Sequence, residues 1–256
     1  MESVFNQIQN HYDELSSTEQ LVIDFILKYD DVPNLKLKII QENLHISAPT
    51  IIRAIKKLQY QSFTEFKYAL INNRSLDAKT SSEQTFEGMI HLTTLDFART
   101  IEMMDKNTLL NIATIILESR RIFCVGIGSS ASVVNSLNRK LKNIGLWSND
   151  YTEVFPIRDI PDVATKQDCL LLFSLSGNEK QIVDVVSECK VQGAKIISIT
   201  GFSSNPLATL SDISLLVHQS IQKRKKLRSR LMLSVASEII FETVLLVKEA
   251  TNENTL

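Results

Sequence analysis

No glycine occurs in the first 87 of the 256 residues; all seven fall between Gly88 and Gly201. A glycine-free stretch with apolar residues recurring near every 3.6 positions excludes a turn-rich β architecture and predicts helices. Cysteine is also scarce. Cys124, Cys169 and Cys189 form no Cys-x-x-Cys pair and sit in apolar runs. With only four scattered histidines, that pattern speaks against a disulfide framework or a zinc site and suits buried thiols in a reducing cytosol. No run approaches the roughly 18 apolar residues of a membrane span, and the opening Met1-Glu-Ser-Val-Phe-Asn-Gln lacks the basic and apolar regions of a signal peptide. A cytoplasmic protein without membrane contact is the expectation. Net charge is only −1, so any attraction to a polyanion must come from local segregation of charge.

What is present divides the chain in two. After residue 87, short β-branched runs alternate with helical patterns, the mark of a parallel α/β sheet. The polar stretch Ser75-Leu-Asp-Ala-Lys-Thr-Ser-Ser-Glu-Gln-Thr85 lacks an apolar stripe and reads as the boundary. The expected division is a helical domain over 1–77, a linker and connecting helix over 78–106, and an α/β domain over 107–256. Four or five helices are predicted in the first part, one capped by Ser17-Thr18-Glu19-Gln20 and one by Ser47, with Pro49 tolerated in its first turn. In the second part a helical pair, about Gln84–Met104 and Lys106–Ser119, precedes five strand candidates, with Asp105 capping its second helix. The strands are Arg121–Val125, Leu146–Tyr151, Cys169–Leu175, Lys195–Thr200 and Ile213–Val217, and a long helix from Leu231 to about Glu249 closes the chain.

In the helical part, two short helices joined by Leu44-His45-Ile46-Ser47 have helix-turn-helix spacing. On the second helix Ile51, Ile52, Ile55 and Leu58 form an apolar stripe. Ser47, Thr50, Arg53, Ala54 and Lys57 take the opposite face, flanked by Lys56. Thr and Arg suit base edges in a major groove, and lysines suit phosphates. A solvated face on an ordinary helical bundle would have the same composition. Charge is segregated in support of the first reading. Residues 1–33 carry Glu2, Asp13, Glu14, Glu19, Asp24, Asp30 and Asp31 against Lys28 alone. Residues 34–74 carry Lys36, Lys38, Arg53, Lys56, Lys57, Lys67 and Arg74 against Glu42 and Glu65. A basic edge can thus face a duplex on a nearly neutral protein.

The runs Leu15-Ser-Ser-Thr-Glu-Gln-Leu-Val-Ile-Asp-Phe-Ile-Leu27, Ile46-Ser-Ala-Pro-Thr-Ile-Ile-Arg-Ala-Ile-Lys-Lys-Leu58 and Ser62-Phe-Thr-Glu-Phe-Lys67 resemble the N-terminal domain of RpiR-type transcriptional regulators. His45 stands where that family usually has glycine, and Gln41 where it has a small residue. The resemblance implies double-stranded operator DNA as partner and a contact set of Lys36, Lys38, Ser47, Thr50, Ile51, Arg53, Ala54, Lys56 and Lys57.

Three loops in the α/β part follow predicted strand ends: Gly126-Ile-Gly-Ser-Ser130, Ser174-Leu-Ser-Gly-Asn-Glu179 and Thr200-Gly-Phe-Ser-Ser-Asn-Pro-Leu207. Ligands of open parallel sheets sit at such ends, where helix N-termini aim N–H groups at an anion. Ser174 and Ser176 could equally be helix caps. A complete dinucleotide fingerprint is absent: Ala131 stands where the third glycine is expected after Gly126-x-Gly128, and the next strand ends in Asp150 without clear ribose-binding context. Gly126-x-Gly128-x-Ser130, Ser174-x-Ser176-Gly177 and Pro206-Leu207…Ser211-Asp212 together resemble the SIS (sugar isomerase) domain. That resemblance implies a flavodoxin-like three-layer α/β fold, usually dimeric. It implies an effector pocket of Gly128, Ser129, Ser130, Ser174, Ser176, Gly177, Asn178 and Glu179. Glu179 replaces a common Thr of the family, and Asn205 a frequent Ser.

The combined expectation is an all-α helix-turn-helix domain followed by a parallel α/β SIS domain. Such a protein would regulate carbohydrate-metabolism genes as a homodimer or higher oligomer, with a sugar or sugar-phosphate effector and without catalytic residues, cofactor or metal. The alternatives are a sugar-phosphate isomerase-like enzyme, using Glu179, His218 or Glu238 as acid–base groups, and a phosphosugar sensor that does not bind DNA. The run Lys223-Arg-Lys-Lys-Leu-Arg-Ser-Arg230 has no assigned role among phosphate contact, DNA contact and plain solvation.

Overall fold

A computed structural model describes residues 4–29, 31–75, 85–201, 205–220 and 229–253. They fall into two compact units that meet in the chain between Met103 and Met104.

The first unit consists of helices. In chain order they are α1 (Val4–His11), α2 (Ser17–Lys28), α3 (Leu37–Leu44), α4 (Ala48–Lys57), α5 (Phe63–Ser75) and α6 (Phe86–Glu102). Its core is aliphatic, built from Ile8, Val22, Ile23, Ile26, Leu35, Ile40, Ile51, Ile55, Leu58 and Leu70 around Phe66. Tyr12 Oη donates to Asp24 Oδ1 at 2.9 Å inside it, which satisfies both buried groups. The cap of α2 lies one residue earlier than expected. Ser16, not Ser17 or Thr18, is the N-cap; its hydroxyl accepts from the Glu19 N–H while the Glu19 carboxylate accepts from the Ser16 N–H. Ser47 stands at the N-cap of α4 but makes no capping bond, because its hydroxyl faces Thr50 Oγ1 at 3.0 Å instead.

The second unit is a five-stranded, wholly parallel sheet in the order β2-β1-β3-β4-β5. Helix α7 (Lys106–Glu118), with Asp105 capping it through Thr108 N at 2.8 Å, leads into β1 (Arg121–Val125), α8 (Ala131–Asn143) and β2 (Ser148–Tyr151). Then come α9 (Val154–Arg158), α10 (Ile160–Val163), β3 (Asp168–Ser174), α11 (Lys180–Val191) and β4 (Lys195–Gly201). Helix α12 (Pro206–Leu210), β5 (Ile213–Val217) and α13 (Leu231–Glu253) complete it. Strand β2 begins at Ser148 rather than Leu146, which falls in the turn after α8.

Alternation along the strands builds two apolar layers. Ile122, Cys124, Leu171 and Phe173 point toward α7, α8 and α13, while Phe123, Val125, Leu170 and Leu172 point toward α9 to α12. The three thiols lie in these layers, and burial pushes those of Cys124 and Cys189 up to about 12. At the strand starts, buried Asp168 accepts from Arg120 Nη2 at 2.7 Å, Arg121 Nη2 at 3.2 Å and Thr165 N at 2.8 Å. Burial opposes its charge, but these donors hold the carboxyl well below the usual carboxylate range. Among the described residues no helix is long and apolar enough to cross a membrane.

Candidate functional site

In the helical unit, α3 and α4 are joined through His45, which adopts the left-handed conformation at φ 54°, ψ 39°. Histidine is one of the few non-glycine residues found there readily, so the turn closes without glycine. Helix α4 buries Ile51, Ala54, Ile55 and Leu58. Its outer side carries Ser47, Thr50, Arg53 and Lys56, and Arg53 Nη2 donates to Thr50 Oγ1 at 3.3 Å. The Ser47–Thr50 and Thr50–Arg53 contacts form one continuous polar row on the helix.

Three members of the expected DNA-contact set are placed otherwise. Ile51 and Ala54 are wholly buried and offer a duplex no surface. Lys57 turns inward: its Nζ donates to Glu19 Oε2 at 2.8 Å and to the Glu14 carbonyl at 2.9 Å. It ties α4 to the start of α2. Burial of Glu19 opposes its charge, but Lys57 and the Ser16 backbone N–H outweigh that and hold the carboxyl below its ordinary value. Sequence could not reveal this pair, because 38 positions separate its members. Lys36 and Lys38 stay exposed, Lys38 within reach of Glu42 at 3.7 Å one turn on.

In the α/β unit, successive connections leave β1 and β3 toward opposite faces of the sheet, α8 on one side and α11 on the other. Adjacent strands whose helices diverge leave a crevice beyond their C-terminal ends, where ligands of open α/β sheets bind. The loops Gly126–Ser130 and Ser174–Glu179 are the two lips of that crevice. Gly128 at φ 59° and Gly177 at φ 62° take conformations that side chains disfavour. Gly177 is required sterically as well, since a Cβ there would come within 2.0 Å of Asn205 Oδ1.

Asn205 stands against the second lip, a placement the sequence hinted at only through the Asn-Pro pair at a helix start. It is buried, caps α12 through Ala208 N at 2.9 Å and donates to Thr200 Oγ1 at 3.2 Å. The Gly128, Ser129 and Asn178 positions are exposed, whereas Ser130 and Ser174 are buried. Residues 202–204 of the third loop lie outside the described residues.

Glu179 decides the chemistry of the second lip. Its carboxylate lies across the serines, accepting from Ser174 Oγ at 2.5 Å and Ser176 Oγ at 2.6 Å. Ser174 is in turn fixed by the Gly177 N–H at 2.9 Å. Burial raises the cost of its charge, but the two hydroxyls and the backbone N–H groups of Glu179 and Asn178 hold its carboxyl below the ordinary range. Neither Ser174 nor Ser176 is the N-cap of α11; that position belongs to Glu179.

Of the proposed acid–base groups, Glu179 and Glu238 are not brought together. Glu238 is on α13, paired with Lys140 of α8, in the layer across the sheet from α11. Of the basic run Lys223 to Arg230, positions 223–228 lie outside the described residues.

A groove-sized helix with a polar outer row, preceding a parallel sheet with a serine-lined switch-point crevice, defines a helix-turn-helix protein coupled to an α/β ligand-site domain. Comparison with known proteins agrees. The helix-turn-helix domain of the rpiR family matches residues 2–76, and the SIS domain matches residues 115–241. An uncharacterized HTH-type transcriptional regulator of Clostridium perfringens is 25% identical over 224 residues, 83% of this chain and 80% of that one. Among solved structures, the Vibrio vulnificus NanR protein complexed with ManNAc-6P is similar over 98% of this chain and 96% of its own, with a TM-score of 0.60 at 18% identity. The sugar isomerase domain of an RpiR transcription factor from Sphaerobacter thermophilus covers 67% of this chain and 99% of its own, with a TM-score of 0.54 at 16% identity. The chain belongs to the RpiR-type transcriptional regulators, with an N-terminal helix-turn-helix domain and a C-terminal SIS domain. It is a DNA-binding regulator of transcription.

Proposed function

We propose that α4 reads an operator in the major groove through Thr50 and Arg53, while Ser47, Lys56, Lys36 and Lys38 meet phosphates. The observation that carries this reading is the polar Ser47–Thr50–Arg53 row, with Ser47 and Arg53 exposed and Thr50 half-buried between them, on a helix whose other side is anchored in the core. In the second domain the lips Gly128–Ser130 and Ser174–Glu179 hold a carbohydrate effector, a sugar or sugar phosphate, as the ManNAc-6P bound to the Vibrio vulnificus protein suggests. The protein acts in the cytoplasm as a homodimer or higher oligomer without catalysing a reaction. The domain limits in this reading are 1–77 and 107–256, with the connecting segment 78–106 between them.

A two-fold dimer places its recognition helices about one DNA turn apart, roughly 34 Å, or a multiple of it. The effector alters occupancy of the operator by the difference in its affinity for the DNA-competent and DNA-incompetent arrangements. The test is selection of genomic fragments by the purified protein at moderate salt, with and without sugars. Enrichment of a fragment containing an inverted repeat is expected. Equal retention of all fragments under every condition refutes the reading.

A further inference from the structure

We propose that Glu179 is the residue that sets effector class in the SIS domain: its carboxylate fills the anion cradle of the second lip, so the crevice takes a carbohydrate that carries no phosphate. The inference rests on the reading of this crevice as the effector site.

The argument is one of occupancy and charge. At the end of β3 the chain has built what an oxyanion needs: two hydroxyls, Ser174 and Ser176, and backbone N–H groups at the start of the twelve-residue helix α11. Those donors already have an acceptor. One carboxylate oxygen takes the Ser174 proton and the other takes that of Ser176. Ser174 cannot turn away cheaply, because its oxygen accepts the Gly177 N–H and is buried with it. Gly177 is in turn locked against Asn205. The carboxyl is held below its ordinary range, so it is an anion at neutral pH.

A phosphate ester entering the crevice therefore meets a fixed negative charge instead of free donors. It must either sit beside that charge or displace it from the two serine hydroxyls. A neutral sugar faces neither cost. Its hydroxyls can donate to the unused lone pairs of Glu179 and meet Ser129 and Asn178, which are exposed on the lips. An amino sugar gains an ion pair as well.

The test is isothermal titration of the full chain with glucose, mannose, N-acetylglucosamine and N-acetylmannosamine, each beside its own 6-phosphate, and with inorganic phosphate. Wild type, Glu179→Gln and Glu179→Ser are compared, and matching thermal unfolding midpoints show that all three fold. Gln keeps the shape and removes the charge, whereas Ser also empties the cradle. In wild type, at least one sugar is expected to bind at least about tenfold tighter than its 6-phosphate, with no response to inorganic phosphate. In Glu179→Ser the affinity for the phosphate ester should rise by roughly 200–300-fold, the effect of removing one unit charge about 5 Å away at an effective dielectric of about 20. Tighter binding of the 6-phosphate than of its sugar by wild type overturns the inference and leaves the effector reading standing. Absence of binding by all three proteins, to sugars and phosphates alike, overturns the effector reading and this inference with it.

Discussion

Replacing Lys57 by Met separates two roles that its position on α4 leaves indistinguishable in sequence. If Lys57 neutralised a DNA phosphate, its loss would weaken binding to all sequences and leave folding untouched. The structure instead places its Nζ 2.8 Å from Glu19 Oε2, whose side chain is 6% exposed, with the lysine side chain 40% exposed. Breaking a fully buried pair costs about 3–5 kcal/mol, and an exposed one about 0–1 kcal/mol. This pair lies between, and Glu19 keeps the Ser16 N–H, so a loss of about 2 kcal/mol is expected, with Met preserving most of the stem packing. Glu19 has a folded pKa below its ordinary 4.5, so the contribution is fully present above that value and lost as pH falls through the depressed folded one. The assay is urea unfolding of the full chain at pH 7 and at pH 4 or below, read at the transition that follows the helical domain, with Glu19→Gln and the double variant closing a cycle. A coupling below about 0.5 kcal/mol at pH 7, together with a uniform loss of DNA affinity, would refute the assignment of Lys57 as a tie between helices.

Arg53→Ala, by contrast, should leave the unfolding midpoint near wild type, weaken operator binding by about 1–3 kcal/mol and flatten the preference among operator variants in a gel shift. Equal affinity and preference would remove Arg53 from base contact. Gly177→Ala combines a positive φ with a collision against Asn205. It should lower the melting temperature and abolish the effector-induced thermal shift; an unchanged shift would show that the second lip does not bind the effector. Asp168→Asn removes the carboxylate that Arg120 and Arg121 share; these arginine side chains are 46% and 27% exposed, so solvent screens part of the loss and a destabilisation of the α/β domain by about 2 kcal/mol is expected at pH 7. Because the Asp168 pKa is depressed in the folded state, the difference from wild type should shrink as pH falls below its ordinary 3.8, which acid titration of the melting temperature checks.

Local patterns carried far. Strands β1 and β5 have the limits read from β-branched runs, and Asp105 caps α7 as its place before the apolar stripe implied. Periodicity also separated α4 into a buried and an exposed side, since facing is a property of spacing alone. It could not say how deep the margin of the buried side runs: Ala54, about 40° around the helix from Leu58, lies at the edge of the apolar stripe and is wholly buried.

What sequence determined without help was the inventory: a glycine-free helical part, a parallel sheet, the two serine loops and the residues available to each. The tertiary structure decided what those residues face. The pairs Lys57–Glu19 and Gly177–Asn205, and the placing of β1 beside β3 so that their loops become lips of one crevice, join positions far apart in the chain. Even between Glu179 and Ser174, five residues apart, the direction of the carboxylate depends on a turn set by Gly177 and the packing against it. Hydrogen bonds and charges act over a few ångströms of space, and distance along the chain does not measure that.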